Sequence, residues 1–313
     1  MSERSAAYDV AVIGAGPAGT AAALRAAELG ATVVVLEAGR LGGTCVNTGC
    51  VPTRVLAKTA RLIRETRAAR TYGIEVGDPA VDWVATVQRV RERVEQVRSI
   101  KREAQRFADA GIDLVQEGRA RFEDDRTLVL ESGRRITATS IIVCVGGHSR
   151  RLPIPGAELA TLPEDVLGLE ALPGRVAVIG AGNTGAQLTT VFSSFGSSVT
   201  LLDLAPRVLV ASDESISTEI AAAFVEQGVD VRTAISGVER LDRAADGAIT
   251  LTWSQGDESV SADFDAVLMA TGWPADVEDL GLEHAGVGVV RSAVPVDRYF
   301  RTEVPHILAA GDT

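Results

Sequence analysis

The feature that most constrains how this 313-residue chain can fold is a unit that occurs twice: an apolar strand, a glycine loop, a helix, and a second strand ending on an acid. The run from Asp9 to Gly14 enters the loop Gly14-Ala-Gly16-Pro-Ala-Gly19, an alanine-rich helix from Thr20 to Leu29, and a strand from Thr32 to Leu36 that stops at Glu37. The run from Arg175 to Gly180 enters Gly180-Ala-Gly182-Asn-Thr-Gly185, a helix to about Phe195, and a strand from Val199 to Leu202 that stops at Asp203. Glu37 lies 23 positions after Gly14, and Asp203 lies 23 after Gly180. Two βαβ units in matching register predict an α/β chain with two Rossmann-like dinucleotide-binding domains, each a three-layer sandwich.

Each glycine has its own physical reason. The first makes the tight turn, the second lets backbone approach a pyrophosphate, and the third lets helix and strand pack closely. The helix start then offers free N–H groups and the positive end of its dipole to phosphate. Gly14, Gly16 and Gly19 are therefore expected to bind one dinucleotide, and Gly180, Gly182 and Gly185 a second. Glu37 and Asp203 are placed to accept hydrogen bonds from ribose hydroxyls, and an acid there repels a 2′-phosphate. Asp203 thus favours NAD over NADP. Arg207 leaves two readings open, a surface arginine or a side chain that turns toward a phosphate.

Between the units, Val84, Val87, Val90, Val94, Val97 and Ile100 recur at spacings of three and four and predict one buried helix face. Strand-like runs follow at Leu114–Val115, Leu128–Leu130 and Ile141–Val145. Pro-Gly punctuation near 152–156 and at Gly272-Trp-Pro274 predicts domain segments 1–152, 153–273 and 274–313. The net charge of −11 speaks against nucleic acid as a partner. No apolar run is long enough to span a bilayer, and the N-terminus has neither a basic region nor an apolar one, so a cytoplasmic location is expected. Three cysteines are too few for a structural disulfide framework.

Two of those cysteines stand in Gly42-Gly43-Thr44-Cys45-Val-Asn-Thr-Gly-Cys50-Val-Pro52. Four intervening residues can form one helical turn and bring the sulfurs within bonding range, and a helix start favours the thiolate that attacks disulfides. A zinc site needs more ligands, and no second Cys or His cluster supplies them. This string, following the first βαβ unit, resembles the class I pyridine nucleotide-disulfide oxidoreductases, and the resemblance runs along essentially the whole chain. It implies FAD at the first site, held by Gly14, Gly16, Gly19, Glu37, Gly43, Thr44, Gly146 and Asp312. It implies a nicotinamide dinucleotide at the second, held by Gly180, Gly182, Gly185, Gln187, Asp203 and Gly272.

The resemblance also implies catalytic roles for Cys45, Cys50 and Arg54. NAD(P)H would reduce FAD, FAD would open a Cys45–Cys50 disulfide, and Cys45 would then attack an acceptor. That acceptor would be a small-molecule or protein-bound disulfide, such as a lipoyl group, or a metal ion such as mercuric ion. A homodimer is expected for a full-length relative. The alternatives are a flavin-dependent NADH:quinone or oxygen oxidoreductase that does not use the disulfide, and a non-catalytic flavin-binding module.

Several positions depart from the family pattern. Arg54 and Gln187 replace a Lys and a Glu expected to pair near the flavin, which would leave that region more positive. Cys144-Val145-Gly146 stands where the family has Ala-Thr-Gly and is followed by Gly147, and Cys144 is expected to be a buried, inert thiol. Trp273 replaces an Arg. The chain ends at Thr313, before the family's His–Glu acid/base pair would occur, and His148, His284 and His306 are expected to be loop or surface residues.

Overall fold

The computed structural model describes residues 6–313. From the N-terminus run β1 (Ala6–Ile13), α1 (Pro17–Glu28), β2 (Val33–Leu36), α2 (Gly43–Asn47), α3 (Cys50–Ala68), α4 (Trp83–Lys101) and α5 (Glu103–Asp109). Strands β3 (Asp113–Val115), β4 (Ala120–Phe122), β5 (Thr127–Leu130) and β6 (Arg135–Val143) follow. The second half has β7 (Arg175–Ile179), α6 (Asn183–Phe195), β8 (Ser198–Leu202), α7 (Glu214–Glu226) and β9 (Asp230–Arg232). It continues through β10 (Gly237–Arg243), β11 (Ile249–Gln255), β12 (Glu258–Phe264), β13 (Ala266–Met269) and β14 (Ile307–Ala309).

The described chain divides into two compact units, one of residues 6–50, 94–148 and 273–313, the other of 51–93 and 149–272. The sequence reading assigned 51–93 to the first segment; the structure groups them with the second unit. Their side chains account for this. Arg64 donates to Ser194 Oγ (2.9 Å), Arg67 to the Ser194 carbonyl (2.9 Å), and Trp83 Nε1 to the Leu169 carbonyl (2.8 Å).

In the first unit a sheet runs β3-β2-β1-β6, all parallel. The far edge of β6 is shared between β5, antiparallel, and β14, parallel. Strand β2 is buried along its whole length, as expected of a strand covered on both faces. On one face Val12, Val33 and Val35 pack with Ala23 of α1 and Phe107 of α5. On the other, Ala11, Ile13, Val34 and Leu36 meet Phe122, Leu128 and Leu280. Alternate residues of one strand thus serve two cores, which is the pleat's period of two.

Register positions the site. Ile13 pairs with Leu36 and with Val143, and Val143 pairs with Ala309. Strands β1, β2, β6 and β14 therefore stop in one row, and Gly14, Glu37, Cys144 and Ala310 all leave from the same sheet edge. Ligands of open α/β sheets bind outside that edge, at the strands' carboxyl ends.

The second unit repeats the plan with sheet order β13-β7-β8-β9. Here Ile179 pairs with Leu202 and Met269, so Gly180, Asp203 and Ala270 leave together. A three-stranded antiparallel sheet, β10-β11-β12, shares a core with it: Leu241, Leu251 and Trp253 pack with Ala177, Ile179 and Met269.

Two helix expectations need correction. The first helix begins at Pro17, not Thr20, because Gly16 is extended (φ −71°, ψ −176°) and proline suits the first helical position. The valine face of α4 is buried at Val87, Val90 and Val94, but Val84 and Ile100 are 70% and 71% exposed. Trp83 is the buried residue at that end instead.

Candidate active site

The two glycine loops have nearly the same conformation. Gly14 has φ +100° and Gly180 φ +102°, a region that costs an L side chain, and a Cβ at either would strike a carbonyl, of Cys144 and of Ala270 respectively. A Cβ at Gly19 or Gly185 would strike the carbonyl of its own Gly14 or Gly180. The middle glycines differ. Nothing lies within 4 Å of a Cβ at Gly182, and only the Gly43 Cα, at 3.9 Å, near one at Gly16. Neither middle backbone is strained, at φ −71° in both. The protein's own packing therefore needs the outer glycines, while the middle ones leave room beside a helix N-terminus. That open cradle fits a pyrophosphate.

Both acids close their loops. Glu37 Oε2 accepts from the Ala15 N–H and Oε1 from the Gly39 N–H, each at 2.7 Å. Asp203 accepts from Ala181 (2.5 Å) and Ala205 (2.6 Å). The sequence pointed these carboxylates at ribose hydroxyls; the structure shows that they first fix the loop, with further lone pairs still to offer. Arg207 is tied to Ser217 Oγ (2.6 Å) and to the carbonyls of Ser212 (3.0 Å) and Val210 (3.1 Å). Those bonds give it a structural task.

A cavity of about 640 Å³ opens at the edge of the first sheet, lined by Gly14, Gly16, Glu37, Cys45, Gly146 and Asp312 among others. Gly43 and Thr44 also face it. A Cβ at Gly43 would sit 2.7 Å from the Gly16 Cα, so this glycine lets the cysteine segment lie against the phosphate loop. Asn47 holds the segment's shape, its Nδ2 donating to the carbonyls of Gly43 (2.9 Å) and Leu41 (3.1 Å). Asn47 was missed by the sequence reading, because these bonds depend on the fold of the loop around it.

The cysteine pair is arranged differently from the single helical turn expected. Cys45 lies inside α2 and Cys50 opens α3, with a break at Thr48 and Gly49. The Thr44 carbonyl accepts from both Thr48 (3.0 Å) and Gly49 (2.6 Å), which ends α2 there. Cys45 is half-buried and faces the cavity, Cys50 is exposed at the helix start, and the two are not joined in a disulfide. Cys144 is buried at 6% exposure, and burial pushes its thiol up to about 12, so it stays protonated and inert.

Glu103, absent from the sequence reading, is a buried carboxyl 3.4 Å from where a Gly42 Cβ would stand. Burial raises its pKa against the pull of Lys101 and Arg106, and Glu37 adds to the rise. In the second unit Gly272 (φ +127°) follows β13. Arg54 on α3 and Gln187 on α6 are both exposed, and no hydrogen bond or ion pair joins them among the described residues. His284 and His306 are held by the carbonyls of Phe122 (3.1 Å) and Asp125 (2.9 Å).

A family model described as pyridine nucleotide-disulphide oxidoreductase matches residues 8–313. The chain belongs to that family. Pyridine nucleotide-disulphide oxidoreductases use FAD and a nicotinamide dinucleotide, and the two cradles fit two such groups. The chain is 34% identical to dihydrolipoyl dehydrogenase of Bacillus subtilis, over 97% of this chain and 66% of that one. It is 31% identical to glutathione reductase of a Nostoc species (97% and 67%) and 34% to mercuric reductase of Shigella flexneri (98% and 55%). Among solved structures it is similar to the HOCl-induced flavoprotein disulfide reductase RclA of Escherichia coli. That match has a TM-score of 0.83 and 29% identity, over 97% of this chain and 66% of that one. The chain thus spans about two thirds of the length of most of these relatives.

Proposed function

We propose that the chain carries electrons from NADH, by way of FAD, to a disulfide between Cys45 and Cys50, and from the resulting dithiol to a disulfide acceptor. The observation that carries this reading is the single cavity in which Gly16, Glu37 and Asp312 share a wall with Cys45. FAD, when bound, supplies the two-electron link between a hydride donor and a disulfide.

The residues divide the remaining work. Gly16 and the start of α1 would take the pyrophosphate, Glu37 the adenosine ribose, and Asp312 the ribityl chain. Gly182 and Asp203 would do the same for NADH in the second unit, with Arg207 held away from any 2′-phosphate role. Taking up two electrons and two protons, the Cys45–Cys50 bond opens to two thiols. Cys45 then attacks the acceptor disulfide and releases one thiol. Cys50 attacks the Cys45 sulfur, releases the second thiol and restores the internal disulfide.

The named relatives act on a lipoyl group, glutathione and mercuric ion, so a metal ion is the other acceptor to test. No cluster of three or more metal-ligating side chains exists among the described residues. A homodimer and a cytoplasmic location belong to the same proposal.

Anaerobic addition of one equivalent of NADH to the FAD-loaded chain should convert no reactive thiol into two, counted by alkylation at Cys45 and Cys50. The Cys45→Ser and Cys50→Ser variants should gain none. NADH oxidation that persists undiminished in the double variant would instead favour electron transfer to oxygen or quinone without the disulfide.

A further inference from the structure

Trp273, a departure from the family pattern, and Gly147 form one structural device. The segment after β6 and the segment after β13 pair as a short antiparallel bridge between Gly147 and Ala275. His148 N–H donates to the Pro274 carbonyl (3.0 Å), and Asp276 N–H to the Gly146 carbonyl (2.9 Å). Arg119 fixes the far end of the bridge through a 2.6 Å ion pair with Asp276. The bridge lays the Trp273 indole on Gly147 so closely that a Cβ at residue 147 would collide with Nε1, and would stand 2.7 Å from Cδ1 and 2.6 Å from the Pro274 carbonyl oxygen. Only glycine at 147 admits the ring.

The seated indole faces the first cavity together with Gly146, Gly147 and Asp276, yet it remains 41% exposed. No hydrogen bond within the protein uses its N–H among the described residues. A large aromatic side chain held rigidly at the wall of a cavity, with a free donor and open surface, suits direct contact with a flat or polar part of a ligand.

We propose that Trp273 is a cofactor-contact residue of this chain: its indole, seated by Gly147, packs against the bound FAD and is covered by it. The inference rests on FAD occupying this cavity, which titration of the wild-type chain tests separately. A serine at 147 should include the effect of a Trp273 substitution, because it expels the ring, and should add strain at the Pro274 carbonyl of the bridge.

Tryptophan accessibility provides the direct test. The chain has three tryptophans, and Trp83 and Trp253 are 5% and 4% exposed, so acrylamide quenching reads chiefly Trp273. The 313-residue chain stripped of flavin should show an acrylamide-accessible component that disappears on saturation with FAD. Trp273→Phe should lack that component in both states. In equilibrium titrations, Trp273→Ala and Gly147→Ser should each weaken FAD binding by about three- to tenfold. The double variant should be no weaker than Gly147→Ser alone.

Accessibility unchanged by saturating FAD would overturn the proposal, as would FAD affinities in which the two substitutions multiply. If Gly147→Ser fails to fold by circular dichroism, the Trp273→Phe and Trp273→Ala results decide alone. A wild-type chain that binds no FAD would sink the cofactor reading itself. Normal wild-type binding with an indole that stays accessible would sink only the role of Trp273.

Discussion

At the scale of single residues, the three glycines of each loop look alike in sequence but answer to different forces. Gly14→Ala must adopt a φ near +100° and push a Cβ into the Cys144 carbonyl. That should cost at least about 1–2 kcal/mol of folding stability. Gly16→Ala meets only the Gly43 Cα at 3.9 Å, on ordinary extended backbone, so stability should stay within about 1 kcal/mol of wild type. Its FAD affinity should nonetheless fall by at least about tenfold, since the new methyl fills the cradle. Urea unfolding paired with FAD titration separates the two; equal stability losses would show that Gly16 serves the fold alone. That Gly14, Gly16, Glu37 and Cys45 gather at one cavity was legible in the sequence, because the loop and cysteine motifs are written in a few neighbouring residues. The seat of Trp273 on Gly147 was not, because it depends on which strand ends the register brings together.

Elements show where periodicity stops being a guide. The valines of α4 keep a perfect helical spacing from Val84 to Ile100, yet the packing surface extends over only part of it. Val87, Val90 and Val94 are buried, while the two ends of the stripe are exposed. The anchor is Trp83, with ring centroids 6.0 Å from Phe192 and 6.3 Å from Phe195 on α6, and its Nε1 bonded to the Leu169 carbonyl. Trp83→Ala should therefore lower stability by about 3–5 kcal/mol. Val84→Glu and Ile100→Glu should change it by no more than about 0.5 kcal/mol despite breaking the pattern. Denaturant midpoints at constant m-value check both, and a severe loss at Val84 would put the helix's buried face elsewhere. The α2–α3 break has a similar lesson. Spacing alone allows Cys45 and Cys50 to share one turn, whereas the doubly accepting Thr44 carbonyl ends α2 before Cys50 is reached.

For the whole molecule, one device has been used twice with different consequences. The loops share backbone angles, the outer-glycine contacts and an acid clamped to the second loop residue, so loop geometry alone does not decide which dinucleotide each unit takes. What differs is the surroundings. Gly43 lets the cysteine segment lie on the first loop, and Asp276, Asp279 and Leu280 with Ala310, Gly311 and Asp312 build further walls around that cavity. The second loop has instead Asp203, clamped, with Arg207 locked to Ser212 and Ser217. Each ligand should consequently stabilise its own unit. At about a hundred times Kd a ligand adds about 2.7 kcal/mol to the state that binds it. Amide exchange should therefore slow in Gly14–Cys50, 118–122 and 273–312 when FAD is added. It should slow in Gly180–Asp203 and Ala266–Gly272 when NAD+ is added, with NADP+ giving less protection there because Asp203 repels the extra phosphate. The reverse assignment, FAD protecting Gly180–Asp203 while Gly14–Glu37 exchanges freely, would exchange the roles of the two units and remove the link between flavin and the Cys45–Cys50 pair.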